Sequence, residues 1–491
     1  MLDCRLDRQP GAPALVDQLV RAVTARVADR RLVAGDRLPS IRQLAREHRL
    51  STFTVADAYG RLVSMGVLAS RRGSGYRVAD GGGTGMGTGG DGDDGGIADR
   101  AGSALGSGDS DRALHHWSPP ALTAEWLLSD VFADRSIPIK AGCGWLPESW
   151  ANLGGLQQAL RSLSRTPSLP VSHYGHPYGW GGLREYLGKH LRQAGLPTDT
   201  SHVLLTQGAT QALDLVTRLL LRPGDVVAVE EPAYCNLLQI LKLAGLRVVG
   251  VPKTVDGLDV EALDRIAAHE RPKVLFINSV LQNPTGVTLT PACAHRLLNC
   301  ARHHGMWVVE EDIYGPLAGA QAPQLAAMAA FDRLILIGGF SKTIAPSLRV
   351  GYVAADPSVI TELARMKMAV GLTSSEIAER IVHKVLLEGH HARHVAALRE
   401  RLADAHRHAE SRLDALGAEL FHRPRAGLYL WARLPTRTAP ARLAADASSA
   451  GVWLAPGSFF MTDDAPCAWY RFNVAHCDAP ALWTFLRRAC G

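Results

Sequence analysis

The first 80 residues contain no lysine, and nowhere in the 491 residues do apolar side chains run on for the 18 or so positions that a membrane helix needs. The opening stretch, MLDCRLDRQPGAPALVDQLV, lacks the basic-then-apolar order of a secretory signal. Cysteine is sparse and scattered: Cys4, Cys143, Cys235, Cys293, Cys300, Cys467, Cys477 and Cys490 include no CxxC pair. A disulfide framework or a zinc site is therefore not expected, and a reducing cytoplasm fits best. These absences point away from a membrane protein and from a stapled secreted domain. With 47% hydrophobic and 20% charged residues, the composition is that of a globular chain.

What is present is unevenly spread. Residues 1–80 hold 14 arginines against 8 acidic residues, an excess of six, while the other 39 basic and 39 acidic residues cancel. An excess confined to one end predicts an anionic partner for that end alone, most often nucleic acid. Residues 80–111 contain 13 glycines in 32 positions and almost no large apolar group, so this stretch cannot repay the entropy of ordering. It reads as a flexible tether with a reach of about 30 Å. A chain of this length needs more than one core, and the expected division is 1–79, a linker 80–112, and 113–491.

Within the first segment, Leu15, Leu19, Val23 and Val27 recur at helical spacing. Ser40 is placed to cap a second helix through Glu47, and Ser51 a third carrying Val55, Tyr59, Leu62 and Val63. VLASRRGSGYRV follows as two short strands around a glycine-rich tip. Helix, turn, helix and wing is a DNA-reading layout with the third helix in the major groove. GDRLPSIRQLAREHRLSTFTVADAYGRL, followed by GVLASRRGSGYRV, resembles the GntR family of winged-helix regulators over residues 12–78. The resemblance implies DNA contacts from Ser40, Arg42, Ser51, Thr52, Thr54, Arg71, Arg72, Gly73 and Ser74. Relatives that carry arginine at the positions of Thr52 and Ala56 leave this chain leaning on phosphate contacts, from Arg42, Arg46, Arg71 and Arg72.

From about residue 115 onward, helical stretches alternate with apolar runs: HVLLT, DVVAVE, KVLFIN, WVVEE and RLILIG. Such runs predict a mostly parallel sheet covered on both faces, with ligands beyond the strand C-termini. The residues following the runs make a consistent set. Gly208 and Ala209 open a helix whose N–H groups suit a phosphate. Tyr234 supplies an aromatic face, Asn283 a neutral donor, and Asp312 and Tyr314 a carboxylate and a phenol. Ser341, Lys342 and Arg349 follow the last run. A phosphate cradle, a stacking ring, a carboxylate and a lysine are what a pyridoxal phosphate site contains. HARHVAALRERLADAHRH (391–408) is histidine-rich but lacks metal-ligand spacing, and reads as a solvated helix face; no metal is expected.

Residues 115–490 resemble a fold-type I, class I aminotransferase, and the order winged helix, linker, aminotransferase-like domain resembles the MocR subfamily of GntR regulators. The implied fold is a small α+β winged helix-turn-helix followed by a large α/β/α domain. Lys342 is then the covalent anchor for pyridoxal 5'-phosphate, Asp312 the partner of its ring nitrogen, and Asn283 and Tyr314 partners of its phenolic oxygen. Tyr234 stacks on the ring; Gly208, Ala209, Ser341 and Arg349 hold the phosphate; Tyr174 reaches the phosphate of a neighbouring subunit. Arg471, in YRFNVAH, clamps an amino acid's carboxylate. Gly339 and Ala426 depart from the usual serine and glycine. The implied function is a homodimeric cytoplasmic regulator of double-stranded operator DNA that senses an amino acid or amine through Lys342. Alternatives are a working aminotransferase acting on a 2-oxo acid, and a sensor of pyridoxal phosphate itself.

Overall fold

Two serine caps and a period-3.6 apolar stripe build the N-terminal unit as the spacing predicts. The structure, a computed structural model, describes residues 15–48, 50–65, 67–71, 75–79, 137–166, 172–319, 324–463 and 467–491. The chain divides into two units, Met1–Arg112 and Ala113–Gly491. The linker expected at 80–112 lies outside the described residues.

In the first unit, helices span Leu15–Ala28, Ile41–Glu47 and Thr52–Ser64. Ser40 accepts the Gln43 N–H at 3.2 Å and Ser51 the Thr54 N–H at 2.9 Å, each satisfying a helix donor that would otherwise lack a partner. Leu19, Val23, Leu44, Val55, Tyr59 and Leu62 are buried together, and each such aliphatic side chain contributes about 1.5–3 kcal/mol. Tyr59 keeps its hydroxyl satisfied by donating to the Pro39 carbonyl at 3.0 Å. Strands β1 (Leu68–Arg71) and β2 (Gly75–Val78) pair antiparallel as the wing.

The second unit is built on a sheet of β3 (Val203–Thr206), β4 (Val226–Glu231), β5 (Arg247–Thr254), β6 (Gly257–Leu258), β7 (Val274–Ile277), β8 (Trp307–Glu311), β9 (Leu334–Gly339) and β10 (Gly351–Ala354). Their order is β3-β10-β9-β8-β7-β4-β5-β6. Pairings among β9, β8, β7, β4 and β5 are parallel, but β10 runs antiparallel to both β3 and β9. The sheet is therefore mostly parallel, as the apolar runs predict, and mixed only through the reversed β10 and the short β6. A parallel return needs a crossover of a dozen or more residues; the loop 340–350 is too short for one, so the chain comes straight back. That loop carries Ser341, Lys342 and Arg349.

Alternate residues of each strand face two separate cores. Leu205, Leu275 and Leu336 pack against Leu183, Leu187 and Leu297 on one side. Leu204, Phe276 and Ile337 pack against Leu213, Leu238 and Leu363 on the other. A second, antiparallel sheet of β11 (Glu419–Leu420), β12 (Tyr429–Arg433), β13 (Ala455–Pro456) and β14 (Trp469–Asn473) was not foreseen, being made of short strands between loops. The histidine-rich stretch lies in the helix His390–Ala415. It is not wholly solvated: His406 is buried, its Nε2 3.0 Å from the Gly427 carbonyl. No described helix is long and apolar enough to cross a membrane.

Candidate cofactor and effector site

The C-terminal ends of the strands open on a cavity of about 700 Å³. Its walls bring together Ala209, Tyr234, Asn283, Tyr314, Ser341, Lys342, Arg349 and Arg471, residues spread over more than 260 positions of sequence. Trp145, Trp453 and Glu311 complete it.

At one end lies the N-terminus of the helix Ala209–Leu220, whose first N–H groups have no intrahelical acceptor. Gly208 precedes it at φ 81°, and a Cβ there would lie 2.7 Å from Arg349 Nη2. Glycine is thus required both by the backbone and by the close approach of the guanidinium. Arg349 Nη2 reaches the Gln207 carbonyl at 3.5 Å. Helix N–H groups, the Ser341 hydroxyl and the Arg349 cation make a site for an anion such as phosphate.

Lys342 projects from the β9–β10 loop and donates from Nζ to the Gly144 carbonyl at 2.6 Å. Burial first, and then the neighbouring Arg471 cation, lower its pKa to about 8. A lysine so placed is neutral, and nucleophilic, far more often than one in water.

The Gly144 carbonyl belongs to a strap, residues 141–145, whose backbone oxygens serve several site residues. Gly142 accepts from Arg471 Nη2 at 2.7 Å and Nε at 3.2 Å; Gly144 also accepts from Tyr429 at 3.3 Å; Cys143 and Trp145 accept from Asn473 Nδ2 at 3.0 and 2.7 Å. Arg471 is 3% exposed. It donates from Nη1 to Asn283 Oδ1 at 2.8 Å and lies over the rings of Tyr429 and Phe460, 4.9 and 4.8 Å from their centres. The guanidinium is therefore held rigid while still facing the cavity, the arrangement that bidentate carboxylate recognition needs. Tyr314 exchanges a hydrogen bond with Tyr429, oxygen to oxygen, at 3.0 Å. Tyr234 receives a hydrogen bond from Asn236 Nδ2 at 3.0 Å.

The carboxylate is where the structure corrects the sequence reading. Asp312 is absent from the cavity wall: its Oδ1 accepts the Gly315 N–H at 2.9 Å and its Oδ2 the Gln324 amide at 3.3 Å, so it ties down the turn that leads into the short helix Gly315–Ala318. The carboxylate lining the cavity among the described residues is Glu311, one position earlier. Glu311 is 6% exposed, and its Oε1 has no hydrogen-bond partner among the described residues. The doublet Glu310–Glu311 at the end of β8 was the available signal, since neighbours on a strand face opposite sides. Glu310 turns away, accepting from Ser279 Oγ at 2.6 Å and from the Leu325 and Ala326 N–H groups. Tyr429, Trp145 and Trp453 were also missed, because they come from segments outside the strand-end pattern.

Tyr174 does not line the cavity and is 82% exposed. In the N-terminal unit, Ser40 and Ser51 serve as the helix caps, Thr52 is exposed, and Thr54 Oγ1 lies 2.7 Å from Ser51 Oγ. The side chains of Arg42 and Arg71, and Arg72, Gly73 and Ser74 entirely, lie outside the described residues. The described cysteines are free. Asp264, Cys300 and His304 place one ligand atom each within 4.8 Å, an arrangement that the 2.8 Å hydrogen bond between His304 and Asp264 already accounts for.

Residues 157–488 match the family model of aminotransferases of class I and II, and residues 15–78 that of bacterial regulatory proteins of the gntR family. The chain belongs to the class I and II aminotransferase family. A 2-aminoadipate transaminase of Thermus thermophilus is 33% identical over 70% of this chain and 86% of its own length. The HTH-type transcriptional regulator YdcR of Escherichia coli is 27% identical over 93% of this chain and 94% of its own. The MocR regulatory protein of Rhizobium meliloti is 26% identical over 81% and 77%. Among solved structures, an α-aminoadipate aminotransferase of Thermus thermophilus, complexed with a phosphopyridoxyl-leucine, superposes with a TM-score of 0.66 at 27% identity, covering 72% of this chain and 92% of that one.

The chain is accordingly a DNA-binding regulator of the MocR type with an aminotransferase-like domain, and pyridoxal phosphate is that domain's cofactor. The cavity fits the group. A helix N-terminus with Arg349 suits its phosphate, the Lys342 amine with its lowered pKa suits its aldehyde, and the unsatisfied Glu311 oxygen its basic ring nitrogen.

Proposed function

We propose that this regulator senses an amino acid or amine in the cavity around Lys342, and that occupancy changes its hold on operator DNA. The observation that carries this reading is Arg471, a buried and rigid cation facing the same cavity as the anchoring lysine, in a chain that also bears a gntR-family unit. Lys342 Nζ holds the cofactor, and the Ala209 N–H, the Ser341 hydroxyl and Arg349 hold its phosphate. Asn283 and Tyr314 orient its phenolic oxygen, Tyr234 covers one ring face, and Glu311, in place of Asp312, meets the ring nitrogen. When bound, the cofactor supplies a ring that withdraws electrons from an attached amine. Arg471 receives the effector's carboxylate.

The N-terminal unit reads double-stranded DNA through the third helix and wing, with Ser40, Arg42, Ser51, Thr52, Thr54 and Arg71–Ser74 at the interface. A homodimer gives the highly exposed Tyr174 a partner subunit's phosphate to meet and lets two winged helices read two half-sites. The absence of a membrane-crossing helix among the described residues fits a cytoplasmic regulator.

The reading is tested by titrating the cofactor-loaded chain with a panel of amino acids and amines, following visible absorbance and operator affinity together. A ligand that changes both is expected. Sustained turnover with a 2-oxo acid, with operator affinity unaffected by any ligand, would establish an aminotransferase instead; the 33% identity to a transaminase is what favours that second reading. Operator affinity that follows only cofactor occupancy would make pyridoxal phosphate itself the signal.

A further inference from the structure

Behind the cavity wall, β4, β5 and β8 bring three buried charged side chains together. Glu230, at the end of β4, is 3% exposed and accepts from Lys253 Nζ at 2.6 Å and from the Asn278 N–H at 3.0 Å. Lys253, on β5, has a side chain with no exposure at all. Glu311 on β8 is as deeply placed, yet its Oε1 has no donor among the described residues. Glu230 and Glu311 line one small internal cavity of about 10 Å³, about the room of a single water molecule.

We propose that Glu230 and Lys253 are positioning residues for Glu311: they keep the negative charge on Glu230, so that Glu311 holds the proton of the carboxylate pair and carries it to the cofactor's ring nitrogen. The proposal rests on the reading that places Glu311 at that nitrogen. Two adjacent buried carboxylates do not both ionise readily, and hydrogen bonds to the charged form decide which one does. Burial raises the pKa of Glu230 as well, but the Lys253 ammonium and the Asn278 N–H oppose that shift; Glu311 Oε1 receives neither.

The groups acting on Glu311 agree. Burial first, and then the Glu230 charge, raise its pKa to about 7, while Lys342 from the β9–β10 loop opposes the shift. The phenols of Tyr234 and Tyr314 also lie within its field, and burial pushes both far above their usual range, so they stay neutral and add no charge. The proton step is balanced within the site. The Glu311 O–H bond breaks, a ring N–H bond forms, and the carboxylate left behind pairs with the protonated nitrogen. No solvent proton is needed in a cavity already closed on that side.

Calorimetric titration of the cofactor-free full chain with pyridoxal phosphate, in buffers of contrasting ionisation enthalpy, reads the net protons taken up per site. As pH rises through neutrality the native chain should show an added uptake of about one proton, because Glu311 by then has already lost its own. Glu311→Gln should abolish that step. Glu230→Gln removes the neighbouring negative charge that raises Glu311, which should move the step to lower pH by about one unit or more. If that variant fails to fold, Glu230→Gln combined with Lys253→Met removes both charges and should move the step the same way by less. A step that stays in place in both charge variants, or persists in Glu311→Gln, overturns the proposal. No binding by the native chain would sink the cofactor reading itself, whereas binding without the step sinks only the proton arrangement.

Discussion

In the N-terminal unit Arg21, Arg46, Arg61 and Arg77 are all exposed, whereas in the large unit Arg471, Lys253, Lys367, Glu230, Glu310 and Glu311 are each at most 7% exposed. Charge at a surface acts as a sum: it is screened by salt, and each member is replaceable. Charge in an interior acts through one fixed partner, because leaving that partner alone is costly. The two units therefore do opposite things with the same side chains. One gathers a diffuse field for a polyanion; the other places single charges against single atoms of a small molecule.

Substitutions can break or sharpen that contrast. The largest effect is expected from Lys342→Ala, which should remove the covalently held cofactor completely; visible absorbance surviving dialysis would refute the anchor. Arg471→Ala should leave that absorbance in place but weaken effector binding by about thirtyfold or more, corresponding to the roughly 2–5 kcal/mol lost when one partner of a buried charge pair is truncated. Spectral titration with the effector checks it.

Acidity provides a third measure. Lys342 has a lowered pKa of about 8, so it is protonated and unreactive below that value and neutral above it. The rate of cofactor attachment should rise about tenfold per pH unit below pH 8 and level off above it; stopped-flow absorbance would show the break, and a rise continuing toward the ordinary lysine value would contradict it. The smallest effect belongs to the exposed class. Arg46→Ala should weaken operator binding only a few-fold while lowering the slope of log affinity against log salt by about 0.9, the share of one phosphate contact. A hundredfold loss there would mean that this arginine behaves like the buried charges.

The contrast also explains what the sequence disclosed. The winged helix is local: Ser40, Ser51 and the stripe through Leu19 and Val23 act within a few residues of themselves, so spacing revealed them. The strand-end residues were readable because each follows an apolar run directly. The place of Asp312 off the cavity wall was not legible because its strand parity, and the Gly315 and Gln324 donors that occupy it, appear only once β8 is paired. Tyr429, which meets the site through Tyr314 and Gly144, and the strap at 141–145 come from the small antiparallel sheet and a loop, where no periodicity marks them. Within an otherwise parallel sheet, the reversal of β10 was not legible for a similar reason, since β10 is short and its direction follows from a loop length.

That strap has a consequence for anyone mapping this molecule by mutation. Lys342, Arg471, Tyr429 and Asn473 all lean on its carbonyl oxygens, which every amino acid possesses. A systematic scan that swaps side chains would report on Trp145, which lines the cavity, and on the buried Ala141 and Cys143, but not on the peptide groups that hold the site together. At Gly142 any side chain would disturb the backbone too, because a Cβ there would lie 2.4 Å from the Ala455 nitrogen. The importance of the remainder would come to light only through deletion, insertion or replacement of an amide by an ester.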